Sequence, residues 1–197
     1  MNFQVFYGLV AYAFVTSVTP GPNNLMLMAS GANFGFRRTI PHMLGVALGF
    51  VAMCFLVGFG LAGLIRQMPA IDTGMKVASV IYMLWLAWKI ANASAPGEGQ
   101  SDARPMTFLQ AAAFQWVNPK AWAMALGAAA LYAPDHSIAA LALVAGVFGA
   151  INLPSVSVWA FAGQGLRRVL TNPARLQVFN WIMALLLVAS LYPVMLH

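Results

Sequence analysis

The chain has 197 residues, 61% of them hydrophobic and 7% charged, whereas a soluble domain carries roughly a quarter charged. That balance excludes an ordinary water-soluble fold and points to an integral membrane protein. The net charge of +6 comes from ten lysines and arginines scattered in ones and twos between apolar runs, which fits the basic loops of a membrane protein and sets nucleic-acid binding aside.

Six apolar segments follow in order, each at least about the ~20 residues that a span requires: Phe3–Asn33, Ile40–Ile65, Asp72–Ala91, Thr107–Tyr132, Ile138–Gly163 and Leu176–Leu196. The first has no basic n-region before it and no small-residue cleavage site after it, so it reads as a membrane helix, not a cleaved leader. As one straight helix it would be about 46 Å long, well beyond the ~30 Å hydrocarbon core. Its centre holds Thr19-Pro20-Gly21-Pro22-Asn23-Asn24, which predicts a helix interrupted at mid-depth. The two prolines deprive the carbonyls of Thr16 and Val18 of their helical donors, and the N–H groups of Asn23, Asn24 and Leu25 should open the next half-helix facing the gap.

Gly35-Phe36-Arg37-Arg38 separates the first two segments, and Gly45 and Gly49 in the second make a small-xxx-small pair suited to close helix contact. Cys54, the only cysteine, lies in the same apolar run, so it has no disulfide partner and no Cys-x-x-Cys pairing. The third segment ends in Trp85-Leu86-Ala87-Trp88-Lys89, an interfacial anchor. Residues Asn92 to Pro105 form a polar linker, dividing the chain into one repeat over 1–91 and a second over 106–197. With the N-terminus outside, the inner loops hold Arg37, Arg38, Lys89, Arg104, Arg167, Arg168 and Arg175, and the outer ones only Arg66 and Lys76. Both termini then face outward, and three spans per half invert the second half relative to the first.

The halves also correspond in sequence. A shift of 99 residues lays Thr19-Pro20 on Asn118-Pro119, the break in the fourth segment, and a shift of about 101 lays Gly45 on Gly146. The expected fold is therefore all-α: six transmembrane helices as two inverted three-helix repeats, the first helix of each broken by proline. Broken helices of this kind build substrate sites in many secondary transporters. A third break is expected at Asn152-Leu153-Pro154, with Asn152, Ser155 and Trp159 on one face as a secondary lining.

Lys120 is the charged side chain nearest the middle of a span. An ammonium there costs ~2.5–3.5 kcal/mol on insertion scales, so it should meet protein or water. Three roles stay open: binding a substrate carboxylate, exchanging a proton, or satisfying the Gln115 carbonyl that Pro119 leaves free. Half-helix N-termini and Lys120 suit a carboxylate. The freed carbonyls of Thr16, Val18 and Gln115, with the amide oxygens of Asn23, Asn24 and Asn118, suit an ammonium. Together they suggest a receptacle for a zwitterion. The four acids, Asp72, Glu98, Asp102 and Asp135, fall in loops or at segment ends, and His42 is expected as a solvated interfacial histidine that could carry a proton. A hydrolase, metal centre or redox enzyme has nothing to be built from, and neither cofactor nor metal is expected.

The Thr19–Asn24 stretch, Gly35-Phe36-Arg37 and Asn118-Pro119-Lys120 resemble the LysE/RhtB superfamily of bacterial amino-acid exporters over essentially the whole chain. With Leu86-Ala87-Trp88-Lys89-Ile90-Ala91, they are most similar to its cysteine and O-acetylserine exporter branch. The resemblance implies a proton-driven exporter of small neutral amino acids in the cytoplasmic membrane, working by alternating access. It places the functional burden on Pro20, Gly21, Pro22, Asn23, Asn24, Asn118, Pro119 and Lys120. The expected partners are the amino acid and membrane lipid, with a homodimer admitted. The rival from another class is a membrane scaffold or assembly factor whose breaks serve packing alone; a channel lacks any visible ring of charges or carbonyl filter.

Overall fold

In the computed structural model, residues 3–93 and 104–192 are described, and they are helical with no strand. The elements are α1 (Phe3–Val18), α2 (Pro22–Phe34), α3 (Phe36–Leu56), a π-helical turn at Val57–Leu61, α4 (Ala62–Arg66), α5 (Pro69–Ala91), α6 (Phe108–Phe114), a 3₁₀ turn at Gln115–Val117, α7 (Pro119–Tyr132), α8 (Ile138–Leu166) and α9 (Pro173–Ala189). Phe36–Ile65, Pro69–Ala91 and Ile138–Leu166 are each long and apolar enough to cross a bilayer. The pair α1 and α2 makes a fourth candidate crossing if the two are counted as one span, bent by 53° at its break, while α9 is apolar but shorter. The first segment is thus interrupted, as the prolines dictate.

Several boundaries move. Helix α3 starts at Phe36, so Arg37 and Arg38 form its first turn instead of a loop; Gly35, at φ +82°, makes the corner between α2 and α3. Pro69 opens α5 ahead of Asp72, and Pro173 opens α9 ahead of Leu176, because proline at the first helical position forgoes an N–H that has no intrahelical partner. The expected break at Asn152-Leu153-Pro154 does not form: α8 runs unbroken through Pro154 for 29 residues. Pro154 removes only the N–H that would bond the Ala150 carbonyl, and the turns on either side keep their own; Ser155 and Ser157 donate their hydroxyls back to the carbonyls of Ile151 and Leu153. Most of the expected linker, residues 94–103, and the end of the last segment, residues 193–197, lie outside the described residues.

Packing centres on α2 and α8. Buried residues occupy nearly every position of α2 from Pro22 to Asn33, and its backbone lies directly on α8. A Cβ on Gly31 would run into the carbonyl of Ala160, and one on Gly163 into the carbonyl of Met28. Close approach here requires glycine. Gly45 and Gly49 do the same for α3 against Phe108 and Ala112 of α6, the contact their spacing suggested. Gly146, matched to Gly45 by the repeat, faces open space instead, so that correspondence has no shared structural role. One core joins α1, α3, α7 and α8 around Leu9, Phe50, Met53, Met124 and Phe148. A second joins α2, α5, α6 and α9 around Met26, Met83, Leu86, Phe114 and Leu187. The outer faces carry large exposed hydrophobics such as Phe3, Leu109, Ile81, Phe161 and Leu185, the pattern of helices whose outside meets lipid.

The two ends of the bundle are tied by different contacts. At one, the N–H of Phe36 donates to Gln164 Oε1 at 2.6 Å and the Arg167 guanidinium lies beside Gly35, bringing Arg37, Arg38, Arg167 and Arg168 together. Asn33 and Asn180 exchange reciprocal amide bonds at 2.8 and 3.2 Å, and Asn180 also donates to the Ala93 carbonyl just past α5. At a different end, His136 in the α7–α8 loop bonds the Gly58 carbonyl in the π turn at 2.8 Å.

Candidate functional site

The break between α1 and α2 leaves Thr19, Pro20 and Gly21 unwound, and every carbonyl that the prolines disturb acquires a side-chain donor. Thr16 O accepts from the Thr19 hydroxyl at 3.2 Å. Ser17 O accepts from Asn24 Nδ2 at 2.9 Å. Val18 O accepts from Trp159 Nε1 of α8 at 3.1 Å. Thr19 O accepts from Asn24 Nδ2 at 2.7 Å and from Lys120 Nζ at 2.6 Å. Lys120 Nζ completes its three N–H bonds on Thr19 Oγ1 at 3.0 Å and Pro20 O at 3.3 Å. Non-helical backbone at membrane depth is tolerated only when protein or a wet cavity covers it, and here protein does so. Gly21 is extended, so its value is not φ but space: a Cβ there would collide with the methylene stem of Lys120.

The second break is shorter. A 3₁₀ turn at Gln115–Val117 ends at Asn118, whose side chain caps α7 by accepting from Lys120 N at 3.1 Å, and Pro119 occupies the first helical position. The Gln115 carbonyl accepts from Asn118 N at 3.3 Å, so Lys120 is not needed there and reaches across to the first break instead. The Gln115 side chain, fully buried, joins the breaks directly. It accepts from Asn23 Nδ2 at 2.8 Å and donates back to Asn23 Oδ1 at 3.2 Å, its second N–H going to the Ala111 carbonyl. The N–H of Leu25, expected to face the gap, bonds Gly21 O within the first turn of α2.

The two breaks close on one cavity, lined by Thr16, Ser17, Gly21, Asn23, Asn24, Phe50, Asn118, Lys120, Ala121, Met124, Asn152 and Val156. Its volume is ≈ 20 Å³ at water-sized centres, room for about a water molecule, and so far smaller than an amino acid. Thr16 itself bonds back to the Tyr12 carbonyl at 2.6 Å. From α8, Asn152 donates to Ser17 Oγ at 3.1 Å, while its Oδ1 is buried with no donor. The lining thus brings together one cation, several amides and the small apolar surfaces of Phe50, Ala121, Met124 and Val156.

Of the residues singled out from sequence, Thr16, Gly21, Asn23, Asn24, Asn118, Lys120 and Asn152 line this cavity. Thr19, Pro20 and Gln115 hold it together through hydrogen bonds, and Pro22 and Pro119 start the half-helices behind it. Sequence reasoning missed Ser17, Phe50, Ala121, Met124 and Val156. Ser17, next to the break, gave a weak polar signal; the other four look like any apolar residue of a span. His42 departs most from expectation. It is 2% exposed, not solvated, and both ring nitrogens lack a partner. With α3 starting at Phe36, His42 falls on the packed face that carries Thr39, Met43 and Val46. Among the described residues, no group of histidine, cysteine and acidic side chains could hold a metal.

Comparison with known proteins places this geometry in context. The LysE type translocator family pattern matches residues 14–190. The cysteine/O-acetylserine efflux protein of Escherichia coli (strain K12) is 30% identical over 189 residues, covering 90% of each chain. The proteins of the same description from Shigella sonnei (strain Ss046) and Shigella flexneri match to the same extent. No solved structure matches.

Proposed function

The chain belongs to the LysE type translocator family, and on that premise we propose that it is a secondary transporter exporting small neutral amino acids or their derivatives, of the cysteine, O-acetylserine and threonine kind, across the bacterial cytoplasmic membrane. Family and relatives are transporters, not enzymes. The observation that carries the reading is a cavity between two helix breaks, one from each half of the chain, with Lys120 of the second break bonded across the first.

In this reading the contracted cavity is an occluded state that the incoming amino acid must open. The substrate carboxylate competes with Thr19 O and Pro20 O for the Lys120 ammonium, a charge-assisted bond replacing carbonyl bonds. Releasing Lys120 detaches α7 from the end of α1, so binding loosens the junction about which the halves rock. Proton coupling, six spans in two inverted repeats over 1–91 and 106–197, and outward-facing termini belong to the same proposal. The orientation is supported by Arg37, Arg38, Arg167 and Arg168 sharing one end of the bundle.

Two experiments test it. Overproducing cells should tolerate a toxic amino-acid analogue better than controls, which a scaffold would not achieve. A panel of amino acids loaded into vesicles, with and without a pH gradient, should show gradient-dependent efflux of small neutral members; no efflux of any would sink the export reading.

A further inference from the structure

We infer that the amide oxygen of Asn152, on α8, is the acceptor for the substrate's ammonium group, so that α8 supplies the half of the site that the two breaks do not. The inference rests on the export reading and names which end of the zwitterion each helix reads. A desolvated ammonium needs acceptors, because burying it without them costs far more than the rest of binding can offset. The carbonyls exposed by the α1 break are the obvious candidates from sequence, yet those of Thr16, Ser17, Val18 and Thr19 keep Thr19, Asn24 and Trp159 as donors even when Lys120 turns to a carboxylate, which leaves the Pro20 carbonyl as a second acceptor beside Asn152. The amide oxygens of Asn23 and Asn118 are likewise taken, by Gln115 and by the α7 backbone.

Among the described buried side-chain atoms only three lack a partner: the two ring nitrogens of His42 and Asn152 Oδ1. Of these residues, Asn152 alone lines the cavity. Its nitrogen is held by Ser17 Oγ, which fixes the amide and leaves the oxygen for a donor that arrives with the substrate. Buried acceptors are normally satisfied, so an orphan in a transport cavity marks a bond made only in the loaded state. Lys120 and the half-helix N-termini then take the carboxylate, and Phe50, Met124 and Val156 offer apolar surface to a short, uncharged side chain once the cavity opens.

The test uses purified protein in proteoliposomes with labelled L-cysteine in counterflow, and two competitors that each keep one end of the substrate. Cysteamine has the ammonium and thiol without the carboxylate; 3-mercaptopropionate has the carboxylate and thiol without the ammonium. Asn152→Leu should weaken inhibition by cysteamine about tenfold or more while leaving inhibition by 3-mercaptopropionate unchanged, since a site built around a hydrogen bond rejects what no longer makes it. Asn152→Asp should keep or tighten cysteamine inhibition, a carboxylate being the stronger acceptor. Unchanged cysteamine inhibition in Asn152→Leu overturns the inference, as does weakened 3-mercaptopropionate inhibition in that variant, which would assign the amide to the carboxylate. If Asn152→Leu fails to assemble, Asn152→Asp decides alone: weaker cysteamine inhibition refutes. Wild-type protein that moves no amino acid would remove the export reading and this inference with it, whereas active transport indifferent to residue 152 removes only the inference.

Discussion

The two helix breaks solve the same problem in opposite ways. The second break repairs itself: Asn118 caps α7 with its own side chain, its backbone N–H returns to Gln115, and one residue suffices to separate the 3₁₀ turn from the next helix. The first break unwinds three residues, bends the span by 53°, and depends on donors from elsewhere, Lys120 of α7 and Trp159 of α8 among them. A self-capped break is a rigid platform. A break held by distant side chains comes apart when those side chains move, which makes the α1 end the deformable partner of the pair.

That contrast can be broken most sharply at Lys120. Lys120→Ala should reduce export at least about tenfold while the protein still inserts, because it removes a charged group whose hydrogen bonds are each worth ~1.5–3 kcal/mol; amino-acid efflux with membrane quantification checks it, and full export would contradict a bridging role. Asn24→Ala should come next. Ser17 O loses its donor and Thr19 O loses one of two, so a loss of about 2–3 kcal/mol is expected, read as an earlier thermal unfolding transition in detergent together with lost export. Asn118→Ala should cost about 1 kcal/mol, the ordinary value of an N-cap, with export only partly reduced; a loss equal to that of Asn24→Ala would erase the difference between the breaks. Trp159→Phe should be the mildest, about 1 kcal/mol or less, since it deletes one neutral bond to Val18 O and keeps the ring. A large transport defect there with an unchanged unfolding midpoint would shift weight from Lys120 to α8.

Some features were legible because their causes are local. Proline cannot donate within a helix, so Pro20, Pro22 and Pro119 announced their breaks. Gly45 and Gly49, one turn apart on an apolar helix, announced a close crossing. Pro154 misled because a proline removes one N–H from a helix without having to end it: α8 forgoes the donor to the Ala150 carbonyl and runs on to Leu166. His42, expected to be solvated, is buried because it shares the packed face of α3 with Thr39, Met43 and Val46, which only the neighbouring helices decide.

Sequence alone determined that this chain belongs in lipid and that two of its helices are interrupted, since composition and backbone chemistry act residue by residue. Only the tertiary structure decided who repairs each interruption. The carbonyls left open at the break could have waited for a ligand, but Trp159 and Lys120, a hundred or more positions away in the chain, take those of Val18, Thr19 and Pro20 at the end of α1. A hydrogen bond needs two atoms within about 3 Å, and which distant atoms meet that condition is set by how α7 and α8 pack.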